Sequence, residues 1–521
     1  MRHLKSWLKR FVSPWATVSM ARASAQRQVV EISQGKLIGT VHGFDRHIYE
    51  FKGIPYAVPP VGNRRWKPPE AAGGWAGERL AIRFGPDCVQ SPYEAGSFYY
   101  RSMRPMSEDC LYLNIWTTKL SGNLPVIVWI HGGALTRGSA AIDLYEGTHL
   151  ARKDVVVVSI NYRLGIFGYF AHPDLIAESE HGAAGNYGVL DQIEALRWVR
   201  DNIADFGGNP ANVTICGQSA GAWSVSVLAA SPLARGLFHK LIAQSGGRLD
   251  RRPELEEAAK AGTKLARDIG KTTIVELRDL PARDLLAAAD KASFQTDHIV
   301  DGWVLPKQPY ETFAAGEHNA VPALLGFNQD EGTTLGVAAI VPPNAFMYRG
   351  FARKLYGDLA DDYLAVYPPT DLYQACLDGF RDYWFGWQAV TWARMNENAG
   401  QSAYVYRFAH WPPGKKKRKK ELRAYHAGEL AYVFNNIELF GSKATVADFE
   451  LADLMSSFWV SFARTGVPAV KGENTWASFG SGRQLYMLFE DGRAIIFADL
   501  FEDRRELWDN IMAMLRSQQT L

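Results

Sequence analysis

"NVTICGQSAGAWSVSVLAAS", residues 212–231, decides the fold. A short β-branched run leads into Gly217-Gln218-Ser219-Ala220-Gly221, and small, helix-compatible residues follow. A serine flanked in this way sits on a sharp turn between a strand and a helix, where glycines leave room for the bend. Its hydroxyl is presented at the C-terminal end of a strand, beside a helix N-terminus that favours negative charge. The five-residue pattern alone is common by chance. The strand before it and the helix after it make Ser219 a candidate nucleophile.

The same alternation extends on both sides. "LPVIVWIHGG" from Leu124 and "DVVVVSINYR" from Asp154 read as apolar strands, and "HKLIAQSGG" from His239 as another. Between them, Val189, Ile193, Leu196, Val199 and Ile203 recur at helical spacing, and Gly207-Gly208 stops that helix. Continuous apolar strands separated by helices predict an α/β fold with a mostly parallel sheet covered on both faces. Residues 36–60 alternate and carry turn residues, which predicts an antiparallel N-terminal edge. Residues 254–300 are rich in Ala, Leu and charge, as surface helices are. No repeat or linker divides the chain.

Composition narrows the function classes. Of 521 residues, 47% are hydrophobic and 21% charged, and the formal net charge is +2. Whole-chain disorder is excluded, and no global basic field draws in nucleic acid. The four cysteines, Cys88, Cys110, Cys216 and Cys376, form no C-x-x-C pattern, and no H-E-x-x-H occurs. No apolar run is long enough to span a membrane. Residues 1–27 form a basic segment whose Ala23-Ser24-Ala25 resembles a cleavage site, although Ser13, Pro14, Thr17, Ser19 and Arg22 weaken it. A frayed terminus on a cytoplasmic protein is the expectation, with periplasmic or secreted export as the alternative.

A serine nucleophile needs a base, an orienting acid and donors for an oxyanion. "IHGGA", His131 to Ala134 followed by Leu135 onward, ends a predicted strand, where glycines let backbone N–H groups face a substrate oxygen. Without Ser219 it would be a plain turn. The chain order for this architecture is Ser, acid, His. "LLGFNQDEGT" offers both Asp330 and Glu331, and spacing leaves the acid open between them. His298, His318, His410 and His426 compete for the base, and a lone histidine is more often structural.

Longer motifs break the tie. "FGGNPANVTICGQSAG" (Phe206 to Gly221) and "EDCLYLNIW" (Glu108 to Trp116) resemble the two signatures of the type-B carboxylesterases. This family of α/β-hydrolases also contains the cholinesterases. "FKGIPYAVPPVGNRRW", "NYRLGIFGYF", "LFHKLIAQSGG" and "SSFWVSFARTG" fit as well, from about residue 28 to near the C-terminus. The resemblance implies one α/β-hydrolase domain over residues 28–515. It implies a triad of Ser219, Glu331 and His426, the last within "AYHAGELAYVF". It also implies an oxyanion hole from the N–H groups of Gly133, Ala134 and Ala220, a Cys88–Cys110 disulfide, and a structural ion pair of Arg65 with Glu108. The implied activity is hydrolysis of a small-molecule carboxylic ester through an acyl-enzyme, requiring no metal or organic cofactor. Oligomeric state is not written in the sequence.

Two departures bear on substrate. The family usually has Glu before the nucleophile; here it is Gln218. Reading forward from Trp75, Arg79 falls where cholinesterases place the Trp that binds choline, and cation–π recognition needs an aromatic face. Both favour neutral or anionic esters over choline esters. The basic run Lys415 to Lys420 reads as an extended, solvated loop, because like charges repel. Steering of acidic substrates is the alternative, ahead of nucleic-acid or membrane contact. Rival functions are the same triad acting on an amide, carbamate or lactone, and a non-catalytic scaffold; scaffolds of this fold usually lose the nucleophile.

Overall fold

Strand β1 (Gln26–Ile32) hairpins onto β2 (Gly35–His42), then β3 (Ile48–Pro55) and β4 (Tyr112–Thr117) follow. The central strands are β5 (Leu124–Ile130), β6 (Val156–Ile160), β7 (Gly208–Gln218), β8 (Lys240–Gln244), β9 (Ala323–Asn328) and β10 (Ala403–Phe408). An antiparallel pair, β11 (Tyr486–Glu490) and β12 (Arg493–Phe497), closes the far edge. In space the order is β1-β2-β3-β4-β6-β5-β7-β8-β9-β10-β11-β12, with a short strand Glu78–Leu80 beside β2. Pairing is antiparallel from β1 to β6 and parallel from β6 to β11. The structure, a computed structural model, describes residues 26–518 apart from 43–46, 95–96, 100, 474 and 481. The basic N-terminal segment therefore lies almost wholly outside the described residues.

The parallel strands are buried on both faces, and every residue of β5, β6, β8 and β9 is buried. Their side chains alternate between two cores, as the strand period of two demands. Val126, Val128 and Ile130 enter one core with α1 (Tyr187–Asn202), α2 (Ala220–Ala230) and α4 (Trp387–Asn398; α3 is Leu372–Arg381). Ile127 and Trp129 enter the other, with Met455, Phe458, Trp459 and Phe462 of α6 (Val446–Thr465; α5 is Lys416–Leu422). The final helix α7 (Arg505–Gln518) returns Trp508, Ile511 and Met512 to the first core. The parallel register brings the C-terminal ends of β5, β7, β9 and β10 to one rim, which is where ligands bind in sheets of this kind.

One expectation fails here. Lys416–Leu422 is helical rather than an extended loop. The helix turns the like charges to different directions. Lys417 meets Glu421 at 3.9 Å, and the Arg418 guanidinium rests 5.2 Å from the centre of the Phe98 ring.

Candidate active site

Ser219 follows β7 directly and carries φ 57°, ψ −125°, a conformation that costs a non-glycine residue about 1–3 kcal/mol. The flanking glycines explain how the turn closes. A Cβ on Gly217 would collide with the backbone of Gly221, and one on Gly221 with the carbonyl of Ile130 at the end of β5. The Ser219 N–H is anchored to the Gln244 carbonyl of β8 at 2.9 Å, and its own carbonyl accepts the N–H of Trp223 at 3.0 Å. The hydroxyl faces a cavity of about 560 Å³ at the strand rim.

The segment after β5 forms another wall of that cavity. Gly133 has φ 118°, Ala134 φ 56° and Leu135 φ 60°. The N–H groups of Thr136 and Arg137 both reach back to the Gly133 carbonyl, at 3.1 and 2.9 Å. Among the described residues, nothing accepts the N–H groups of Gly133, Ala134 or Ala220, the last being the first residue of α2. His131 is buried, stacks on Tyr162 at 4.6 Å and meets the Gly132 carbonyl at 2.9 Å; burial pulls it down to about 4, so it is neutral at neutral pH.

The acid and the base meet below the cavity. Glu331 Oε2 lies 2.5 Å from His426 Nδ1, and Oε1 accepts the Asn328 N–H at 2.7 Å. The two segments are tied by further bonds. The Asp330 N–H goes to the Ala424 carbonyl at 3.0 Å, Asn328 Nδ2 to that of Tyr425 at 2.8 Å, and Thr333 Oγ1 to that of Leu422 at 2.8 Å. Tyr99 OH donates to the His426 carbonyl at 3.0 Å. Of the two acids that spacing left open, Glu331 is the one in contact with His426. Asp330 turns away, to Arg423 at 3.4 Å and the Ala424 N–H at 3.2 Å. His410 pairs with Asp448 at 2.9 Å, His318 sits by Asn396 at 3.4 Å, and His298 is buried beside Asp297 and pulled down to about 3.

With Nδ1–H donating to Glu331, Nε2 of a neutral His426 is an acceptor. In this conformation it faces the Gln218 amide Nε2 at 3.2 Å, and the Ser219 hydroxyl makes no hydrogen bond to it. A ring held this way can take a proton from a hydroxyl that rotates into the same direction.

Several residues of the site escaped the sequence reading. Glu429 is fully buried, with its carboxylate accepting from Gln244 Nε2 at 3.0 Å and Asn328 Nδ2 at 2.6 Å. Burial first, then the nearby Glu331 charge, push it up to about 7. Glu429 lies three residues beyond His426, across a turn in which Ala427 has φ 67°. The Arg79 reading needs correction. Arg79 stacks 5.6 Å over Trp75 on a peripheral strand and does not line the cavity. The wall comes instead from the loop between Cys88 and Cys110, which contributes Tyr93, Phe98, Tyr99 and Arg101. Those two cysteines are joined, with Cα atoms 5.1 Å apart. The same loop is braced by Arg65, whose guanidinium forks onto Glu108 through two 2.7 Å bonds and also donates to the carbonyls of Leu277, Arg278 and Leu280.

Comparison with known proteins gives the family. The model of the carboxylesterase family matches residues 26–508. The chain belongs to the carboxylesterase family. It is 36% identical to the fumonisin B1 esterase of Sphingopyxis macrogoltabida over 507 residues, 91% of each chain. It is 35% identical to the para-nitrobenzyl esterase of Bacillus subtilis over 475 residues, covering 87% of this chain and 92% of that one. A solved PNB esterase superposes with a TM-score of 0.80 at 33% identity, over 93% of this chain and 99% of that one. The fold is thus the α/β-hydrolase fold, and the protein is a serine-type carboxylic-ester hydrolase acting on small-molecule esters. No helix among the described residues is long and apolar enough to cross a membrane.

Proposed function

We propose that Ser219, His426 and Glu331 carry out the ester hydrolysis, with Gly133, Ala134 and Ala220 supplying the oxyanion hole. The observation that carries this reading is the 2.5 Å Glu331–His426 contact beneath a cavity that also exposes Ser219. The Ser219 hydroxyl rotates to His426 Nε2, displacing the Gln218 amide. Its oxygen bonds to the ester carbonyl carbon, and its proton passes to Nε2. Glu331 fixes the tautomer and stabilises the charged ring. The free N–H groups receive the carbonyl oxygen as it becomes negative, each contributing about 10²–10³ in rate by analogy with measured donors. Collapse expels the alcohol, which takes the proton from Nε2. Water then adds to the acyl-enzyme, gives its proton to the same nitrogen, and the acid departs as Ser219 regains its hydrogen.

We further read residues 28–515 as one domain, in keeping with a single sheet that runs from Gln26 to Phe497. Choline-type substrates are disfavoured, because the cavity wall holds Arg101 and Arg137 and no Asp or Glu among the described residues. A fluorophosphonate probe should label the wild-type protein stoichiometrically and leave Ser219→Ala unlabelled, with hydrolysis of para-nitrophenyl butyrate lost alongside. Labelling of the Ser219→Ala protein at the wild-type level would overturn the assignment.

A further inference from the structure

We propose that Arg101 and Arg137 form a carboxylate-binding pair, and that the substrates are half-esters of di- or polycarboxylic acids whose free carboxylate sits on the acyl side. The inference rests on the serine-esterase reading above and adds to it the substrate class.

The interior of this protein shows what an arginine ordinarily requires there. Arg65 holds Glu108, Arg163 holds Asp191, Arg252 holds Asp297 and Arg381 holds Asp382. Arg101 and Arg137 are half-buried in the cavity wall, yet no carboxylate among the described residues pairs with either. A guanidinium removed from water without a counter-charge is costly, so a wall with two such groups and no acid favours a ligand that brings the charge. Among the described residues, no Asp or Glu lines the cavity to cancel them. Position 218 carries a neutral amide, and His131 is held neutral by burial. Aromatic faces accompany the charge, since the Arg137 guanidinium lies 5.0 Å over Tyr93.

Placement puts Arg137 beside the reacting ester. Arg137 belongs to the same turn as Gly133 and Ala134, its N–H bonded to the Gly133 carbonyl. An ester whose carbonyl oxygen is held by that turn lies beside Arg137, and the acyl arm is the one proposed to carry the carboxylate. The guanidinium fork then matches a carboxylate two-pronged, a geometry that a lysine would not reproduce. Outside, Arg418 rests on Phe98, which lines the cavity, so the basic helix α5 extends the positive surface to the mouth. It adds attraction at longer range that salt screens within about 8–10 Å.

The test compares kcat/KM for mono-para-nitrophenyl adipate with para-nitrophenyl hexanoate, an anionic and a neutral ester of equal acyl length, in wild type, Arg101→Gln, Arg137→Gln, Arg137→Lys and the double Gln variant. Each Gln variant should lower the anionic-to-neutral ratio about tenfold or more, and the double variant further, as expected when a charged hydrogen bond is lost. Arg137→Lys should recover only part of the ratio. An unchanged ratio, or a parallel loss on both esters, would overturn the proposal. A third ester with its carboxylate on the leaving group, acetylated para-hydroxybenzoate against para-nitrophenyl acetate, checks the side; an arginine effect confined to that pair would overturn the acyl placement. Fluorophosphonate titration of each preparation separates the two readings, because a failed nucleophile assignment leaves Ser219 unlabelled, whereas a failed arginine assignment leaves labelled enzyme with an unaltered ratio.

Discussion

Replacing Glu331 by Gln keeps the shape of the side chain and removes its charge. In the transition state the ring has taken the Ser219 proton and is cationic. A carboxylate and an imidazolium about 4 Å apart, centre to centre, attract by about 4 kcal/mol at an effective dielectric of about 20. Glu331 is fully buried, so solvent does not erode this interaction. At about 1.36 kcal/mol per decade, that is roughly 10³ in rate. The amide also lets its NH2 face Nδ1 and select the wrong tautomer, and the comparable change in serine proteases costs about 10⁴. We expect kcat to fall about 10³–10⁴-fold with little change in KM, because the lost interaction exists only in the transition state. The assay is kcat and KM on para-nitrophenyl butyrate, normalised to titratable Ser219, with Asp330→Asn and His426→Ala beside it. Asp330 faces Arg423 and the Ala424 N–H, so its change should lower stability while leaving kcat per active site within a few-fold. Adding Glu331→Gln to His426→Ala should cost little more, since the acid acts through the ring. An Asp330→Asn enzyme as slow as Glu331→Gln, or a Glu331→Gln enzyme keeping a tenth of its kcat, would refute the reasoning.

Glu429 makes stability pH-dependent. Its folded value is raised from 4.5 to about 7, so the folded state holds the proton more tightly, and stability present below pH 4.5 is lost as pH rises through 7. Glu429→Gln should remove up to about 3 kcal/mol of that slope, read as the difference in unfolding midpoints between pH 5 and pH 8; identical slopes would contradict the cause given. Gly221→Ala forces a Cβ against the Ile130 carbonyl and should destabilise by about 3 kcal/mol or more, or prevent soluble expression; a stable, active variant would show that the elbow has slack. Removing the Cys88–Cys110 link by double Ser replacement should cost about 3 kcal/mol for a separation of 22 residues, and raise KM because Phe98, Tyr99 and Arg101 lie within the loop; thermal melts and kinetics check both halves.

Much of the fold was legible because it rests on local periodicity. The central strands are continuous apolar runs, and the elbow glycines announce a turn that backbone contacts then require. The acid was not legible by spacing, since Asp330 and Glu331 are adjacent and only the exit angle from β9 aims one of them at His426. The same limit explains the Arg79 error. Four residues on from Trp75 the chain enters the short strand Glu78–Leu80 beside β2, away from the cavity, and the cavity arginines lie elsewhere, at 101 and 137. The basic run was read from its charge alone. Glu421 four residues after Lys417, and the ring of Phe98 beneath Arg418, supply what the charge pattern lacked.

The Cys88–Cys110 loop has an engineering consequence. The proposed nucleophile, acid and oxyanion donors issue from β7, β9 and β5, whereas five cavity-lining residues, Tyr93, Ser97, Phe98, Tyr99 and Arg101, ride on one segment pinned at both ends. That segment is a cassette. With Tyr99 kept for its bond to the His426 carbonyl and Glu108 for its pairing with Arg65, the remaining contents can be exchanged, by recombination or by design, so new ester preferences are reachable through changes within 89–109.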